Sequence, residues 1–112
     1  MALEVITKEI NDVIIVDLKG NLDTNTAPDA ESSINDYLDS GSKKIIINLG
    51  QTQYVSSAGL RIFLATAKKL TASGGALKLC GANEVVQEIL DISGFSTILD
   101  VKKTEEEALS AL

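Results

Sequence analysis

Three observations predict an α/β fold with a mixed, mostly parallel sheet. Short apolar runs, among them Val13-Ile14-Ile15-Val16, Ile45-Ile46-Ile47 and Ala76-Leu77-Lys78-Leu79-Cys80, have the length of strands. Between them lie longer stretches whose apolar residues recur every three or four positions, as in Leu60, Phe63, Leu64, Ala67 and Leu70, the mark of one helix face. Asn-Asp, Ser-Gly and Gly-Gly pairs punctuate the change from one pattern to the other. Strands that alternate with helices imply parallel pairing through right-handed crossovers.

Leu3 to Ile10 alternates loosely, with Leu3, Val5 and Thr7 on one side. Asn11-Asp12 is a turn pair, and Val13 to Leu18 follows as a more apolar run that belongs deeper in the sheet, so the two form a hairpin. Gly20 to Thr26 reads as a polar connection. Thr26 or Asn25 can cap the first helix, and Pro28 fits only its first turn. Ala27, Ala30, Ile34, Tyr37 and Leu38 give that helix its inward face, and Gly41 closes it. A third strand covers about Lys44 to Leu49. The second helix spans Ser57 to about Ala72 and stops at Ser73-Gly74-Gly75, before a fourth strand over Ala76 to Cys80. Asn83 caps a third helix with Val85, Val86, Ile89 and Leu90 inward, ended by Ser93-Gly94. Ile98 to Val101 is a fifth strand. Thr104-x-x-Glu107 is a capping-box pattern that opens a last helix to Leu112, with Ala108, Leu109 and Leu112 inward. The expected order is β-β-α-β-α-β-α-β-α, about five strands and four helices in one domain over residues 1–112.

Composition narrows the function. The chain is 45% hydrophobic with only two Tyr and two Phe, so its core is aliphatic. A net charge of -6 disfavours nucleic acid or an anionic membrane as partner, since phosphate backbones select Lys/Arg clusters and the lysines here occur singly or in pairs that do not extend into a patch. There is no histidine and one cysteine, Cys80, in an apolar run that places it in the core. That excludes the usual metal sites and a histidine-based triad. No phosphate-loop or dinucleotide motif occurs, so no cofactor is expected. The expectation is a binding protein rather than an enzyme. The first residues show neither a basic region nor a long apolar segment, which places the chain in the cytoplasm by expectation.

What remains is Tyr54-Val55-Ser56-Ser57-Ala58-Gly59-Leu60-Arg61, where a strand has ended and a helix begins. Backbone N–H groups at such a place lack partners and the helix dipole is positive, so an anion is stabilised there. Ser56 and Ser57 are both candidates for the N-cap, and capping explains one of them.

This run resembles the signature loop of the STAS domain family of bacterial anti-sigma factor antagonists. Other pieces fall in register: Gly20-Asn21-Leu22-Asp23 resembles the family's G-x-L-D turn, Ile45 to Leu49 its strand ending in D/N-L, Gly74 to Leu79 its Gly-Gly turn into a strand, and Val85 to Gly94 its third helix. The resemblance covers essentially the whole chain. It implies that the unphosphorylated protein binds an anti-sigma factor that is also a serine kinase, freeing a sigma factor, that the kinase then phosphorylates one serine and dissociates, and that a serine phosphatase resets the cycle. Matching Gly59-Leu60 to the family's G-L places Ser57 at the phosphoacceptor position. Ser56 replaces the usual aspartate and is a minor rival acceptor, and Ala58 replaces a second Ser/Thr. The implied partner surface comprises Asp23, Thr24, Ser56, Ser57, Ala58, Gly59, Leu60 and Arg61.

A phosphate adds about -1.5 to -2 charges at neutral pH. The N–H groups of Gly59 and Leu60 are the expected donors to it, and Gly59 keeps the approach open. Asp23 either meets the kinase and orients the serine loop or caps its own turn. Arg61, the one arginine, lies i+4 from Ser57 and steadies the phosphate, meets an acidic patch, or is a solvated helix cation. A second hypothesis is a STAS subunit of a transport or lipid-trafficking complex that docks on an ATPase without being phosphorylated. A third, a small-ligand or nucleotide module, has no pocket signature.

Overall fold

The computed structural model describes residues 3–112. In chain order the elements are β1 (Glu4–Ile10), β2 (Val13–Leu22), α1 (Ala27–Asp39), β3 (Lys44–Asn48), β4 (Thr52–Val55), α2 (Ser57–Ala72), β5 (Ala76–Cys80), α3 (Glu84–Ile92), α4 (Phe95–Ile98), β6 (Asp100–Lys102) and α5 (Glu105–Ser110). The main path of the sheet is β1-β2-β3-β5-β6, and β4 pairs with β2 beyond the end of β3. β1 and β2 are antiparallel across a turn in which Asn11 and Asp12 both have positive φ, 49° and 70°. All the other pairings are parallel. The hairpin and the parallel α/β sheet are therefore as expected.

β2 sits between β1 and β3, and over Val13–Val16 both of its alternating side-chain sets are apolar because both sheet faces are covered there. Ile14, Val16, Leu18 and Leu22 join Ile45, Ile47, Leu49, Leu77 and Leu79 under α1, α2, α3 and α4. Val13 and Ile15 join Ile46 and Cys80 on the other face, under Ala108 of α5. Among the described residues no helix is long and apolar enough to cross a membrane.

Four expectations need correction. β2 runs to Leu22, four residues beyond the expected end, because Thr52–Val55 forms a sixth strand against its last three residues. The buried Thr52 hydroxyl donates to the Leu18 carbonyl at 2.6 Å and holds β4 there. Residues 95–98 form a turn of helix after the left-handed Gly94, so the last strand begins at Asp100 rather than Ile98. Val85 points outward and is 54% exposed; Val86 and Leu90 carry the buried face of α3. The last helix stops at Ser110, and its capping box is offset: Thr104 accepts from Glu107 N–H, while Glu107 reaches the N–H of Lys103 instead of that of Thr104.

Candidate functional site

The serine stretch lies at the C-terminal end of the parallel strands, the edge of an open α/β sheet where ligands and partners meet the loops. The last pair of the β2–β4 ladder is Leu22↔Val55. Asp23 and Ser56 each follow one member of that pair, so the two loops leave the sheet side by side. Ser56 N–H donates to the Leu22 carbonyl at 2.8 Å and fixes the junction.

The two serines have different tasks. Ser56, with φ -84° and ψ 174°, is the N-cap of α2; its hydroxyl accepts from Gly59 N–H at 3.4 Å, and its carbonyl accepts from Leu60 N–H at 2.9 Å. Ser57 is the first residue of the helix and is exposed, and its hydroxyl makes no hydrogen bond among the described residues. The cap is thus Ser56, which leaves Ser57 without a local structural role. The expected donors change as well. The N–H groups of Gly59 and Leu60 are already engaged, whereas those of Ser57 and Ala58 have no acceptor among the described residues.

Gly59 is buried rather than open to an approaching group. A Cβ added there would lie 2.8 Å from Leu22 and 2.9 Å from Val55 side-chain carbons. Its lack of a side chain lets the first turn of α2 settle onto the ends of β2 and β4. Leu60 is 7% exposed and anchors the same turn. Gly59 and Leu60 therefore support the surface from beneath, while Ser57 and Arg61 stand out from it.

Asp23 closes its own turn. Its Oδ1 accepts from the N–H groups of Asn25 at 2.9 Å and Thr26 at 3.1 Å. The hydrogen bond from Thr26, followed by that from Asn25, holds the carboxyl below its ordinary 3.8. Thr26 occupies the N-cap position of α1 without capping it; its hydroxyl instead donates to the Asn21 carbonyl at 2.8 Å and accepts from Asp23 N–H at 2.9 Å. This braces the loop and leaves Thr24 at its exposed tip.

Thr24, Ala58 and Arg61 meet along a shallow groove of about 500 Å³ between α1 and α2. The structure thereby brings together six of the eight candidate positions on one surface and turns two inward. Sequence reasoning placed Asn83 as the cap of α3, as found, but missed what holds the loops in place: Thr52, which ties β4 to β2, and the bond that the Asn83 side chain donates to the Thr52 carbonyl at 3.1 Å. The Thr52–Val55 run carries no apolar alternation that marks it as a strand in the sequence.

Comparison with known proteins agrees with this architecture. The STAS domain family model matches residues 4–108. The chain is 35% identical over 103 residues to BtrV of Bordetella bronchiseptica, named as an anti-sigma factor antagonist, and the match covers 92% of this chain and 89% of that protein. A crystal structure from Thermotoga maritima, described as of an anti-sigma factor antagonist, superposes with TM-score 0.91 at 25% identity, covering 96% and 92% of the two chains. SpoIIAA of Bacillus, solved in unphosphorylated and phosphorylated forms, superposes with TM-scores 0.82 and 0.74 at 22% and 21% identity. The two matches cover 96% of this chain, and 95% and 98% of the SpoIIAA chains respectively. At those identities SpoIIAA speaks for the fold. The chain belongs to the STAS domain family.

Proposed function

We propose that this protein is an anti-sigma factor antagonist switched by phosphorylation of Ser57. The unphosphorylated chain binds an anti-sigma factor that is a serine kinase and so frees the sigma factor. Transfer of phosphate to Ser57 abolishes the binding, and a serine phosphatase restores it. The names of its relatives support the antagonist role. The observation that carries the switch is the division of labour between the two serines: the Ser56 side chain is spent on the cap, and the Ser57 hydroxyl is exposed and uncommitted.

The chemistry follows from position. A phosphate on Ser57 sits at the positive end of α2, beside the free N–H groups of Ser57 and Ala58. It adds about two negative charges to a surface formed by Asp23, Thr24, Ser56, Ala58 and Arg61. The core beneath, sealed by Gly59 and Leu60, is untouched, so the fold persists while the docking face changes charge. Incubation with candidate anti-sigma serine kinases and ATP, followed by mapping of the modified peptide, should find phosphate on Ser57 and none in Ser57→Ala. Phosphate on Ser56, with Ser57 unmodified, would refute the assignment.

A further inference from the structure

The groove between α1 and α2 carries a charge pattern of its own. Ala58, Arg61, Ala65 and Lys68 line it from α2, at spacings of three and four that put them on one helix face. Ala27 and Glu31 line it from α1. In a chain of net charge -6, Lys8, Lys19, Lys78 and Lys102 are held in ion pairs. Arg61 and Lys68 are exposed and, like Lys43, Lys44, Lys69 and Lys103, enter no ion pair among the described residues, and Glu31 pairs with neither. The groove therefore has two cations on its α2 side, one carboxylate, Glu31, on its α1 side, and small apolar side chains, Ala27, Ala58 and Ala65, in its lining.

We infer that this groove seats an acidic segment of the anti-sigma partner, its carboxylates against Arg61 and Lys68 and a small apolar side chain over Ala58 and Ala65. The inference rests on the antagonist reading above and deepens it. Seven residues separate the two cations, two turns or about 10 Å along α2, so the segment must present two acidic groups at that distance. Glu31 fixes the orientation, because the same segment reversed would set its carboxylates against another carboxylate. The groove starts at Ala58, next to Ser57, so a phosphate there competes with the partner's carboxylates for Arg61, four residues on.

The test compares two charge reversals in binding to the anti-sigma serine kinase that phosphorylates the parent chain. Each Lys→Glu or Arg→Glu change subtracts two charges, so Arg61→Glu/Lys68→Glu and Lys44→Glu/Lys103→Glu both move the net charge from -6 to -10. The groove double should bind at least about tenfold more weakly, with a shallower salt dependence, while the control double changes little. Ala65→Tyr, which fills the floor without changing charge, should weaken binding with the salt dependence intact. Circular dichroism on each variant separates lost docking from lost folding. Parent-like binding by the groove double, or equal weakening by both doubles, would overturn the inference. A parent chain that neither binds such a kinase nor accepts phosphate would count against the antagonist reading itself.

Discussion

The two faces of the sheet differ in how they are covered, four helices on one and a single short helix on the other. On one face α1, α2, α3 and α4 enclose a continuous core in which Phe63, Leu18, Leu22 and Ile47 are fully buried. The serine site is built on that face. On the other, α5 alone, six residues long, covers Val13, Ile15, Ile46 and Cys80 through Ala108, with Leu109 and Leu112 half-buried. A helix so short is not stable by itself and depends on what it packs against. Its remaining ties converge on its first residue: Glu105 accepts from Asn48 Nδ2 at 3.0 Å and pairs with Lys8 at 3.1 Å.

The largest effect should come from the thick core. Phe63→Ala is expected to cost about 3–5 kcal/mol in urea unfolding, whereas Ala108→Gly on the α5 face should cost about 1 kcal/mol. Similar costs would mean that the faces are equivalent. Next, Cys80 reports on α5 directly. Burial, then the Glu105 and Asp17 carboxylates, push the thiol up to about 11, and it is fully covered in the closed protein. Labelling by a disulfide reagent under native conditions should outpace global unfolding, because lifting α5 suffices to expose it. Glu105→Ala should speed it by about tenfold, the worth of a lost charge-assisted hydrogen bond. Labelling that follows only global unfolding would show that α5 does not open by itself.

Smaller effects distinguish the serines. Ser56→Ala should lose about 1 kcal/mol of stability with the cap. Ser57→Ala should stay within about 0.5 kcal/mol, as an exposed position does. The smallest effect concerns pH. Asp17, on the α5 side of β2, has its carboxyl raised above 3.8, first by burial and further by Glu105, against the pull of Lys8 and Lys19. A raised folded-state value means that ionised Asp17 opposes folding, so its stability contribution is full below the unfolded value and falls as pH rises through the folded one. Asp17→Asn should therefore stabilise the protein at neutral pH. The gain should fade on acidification past 3.8, and a gain that held in acid would have to come from packing.

Much of this was legible in the sequence because its signals are local. Apolar periods and turn residues located β5 and α2 to the residue, and the Asn11-Asp12 pair announced the hairpin. β4 was not legible. Its four residues include two exposed ones, and it exists because a partner strand and the Thr52 hydroxyl bond, more than thirty residues away in sequence, hold it. The same limit applied at the site. Local pattern marked both serines as caps, but the choice of Ser56 depends on where β2 ends, and the inward turn of Gly59 depends on Leu22. Val85 was misplaced because an apolar residue at helical spacing is compatible with either side of a helix edge.

The central claim is that charge at Ser57 decides partner binding without changing the fold. The most direct measurement is the affinity of an anti-sigma serine kinase for the unmodified chain and for the chain carrying phosphate on Ser57, with circular dichroism recorded on both. The expected result is tight binding by the first, a loss of about a hundredfold or more in the second, and superimposable spectra. Equal affinities would contradict the account, and so would a loss of affinity accompanied by unfolding.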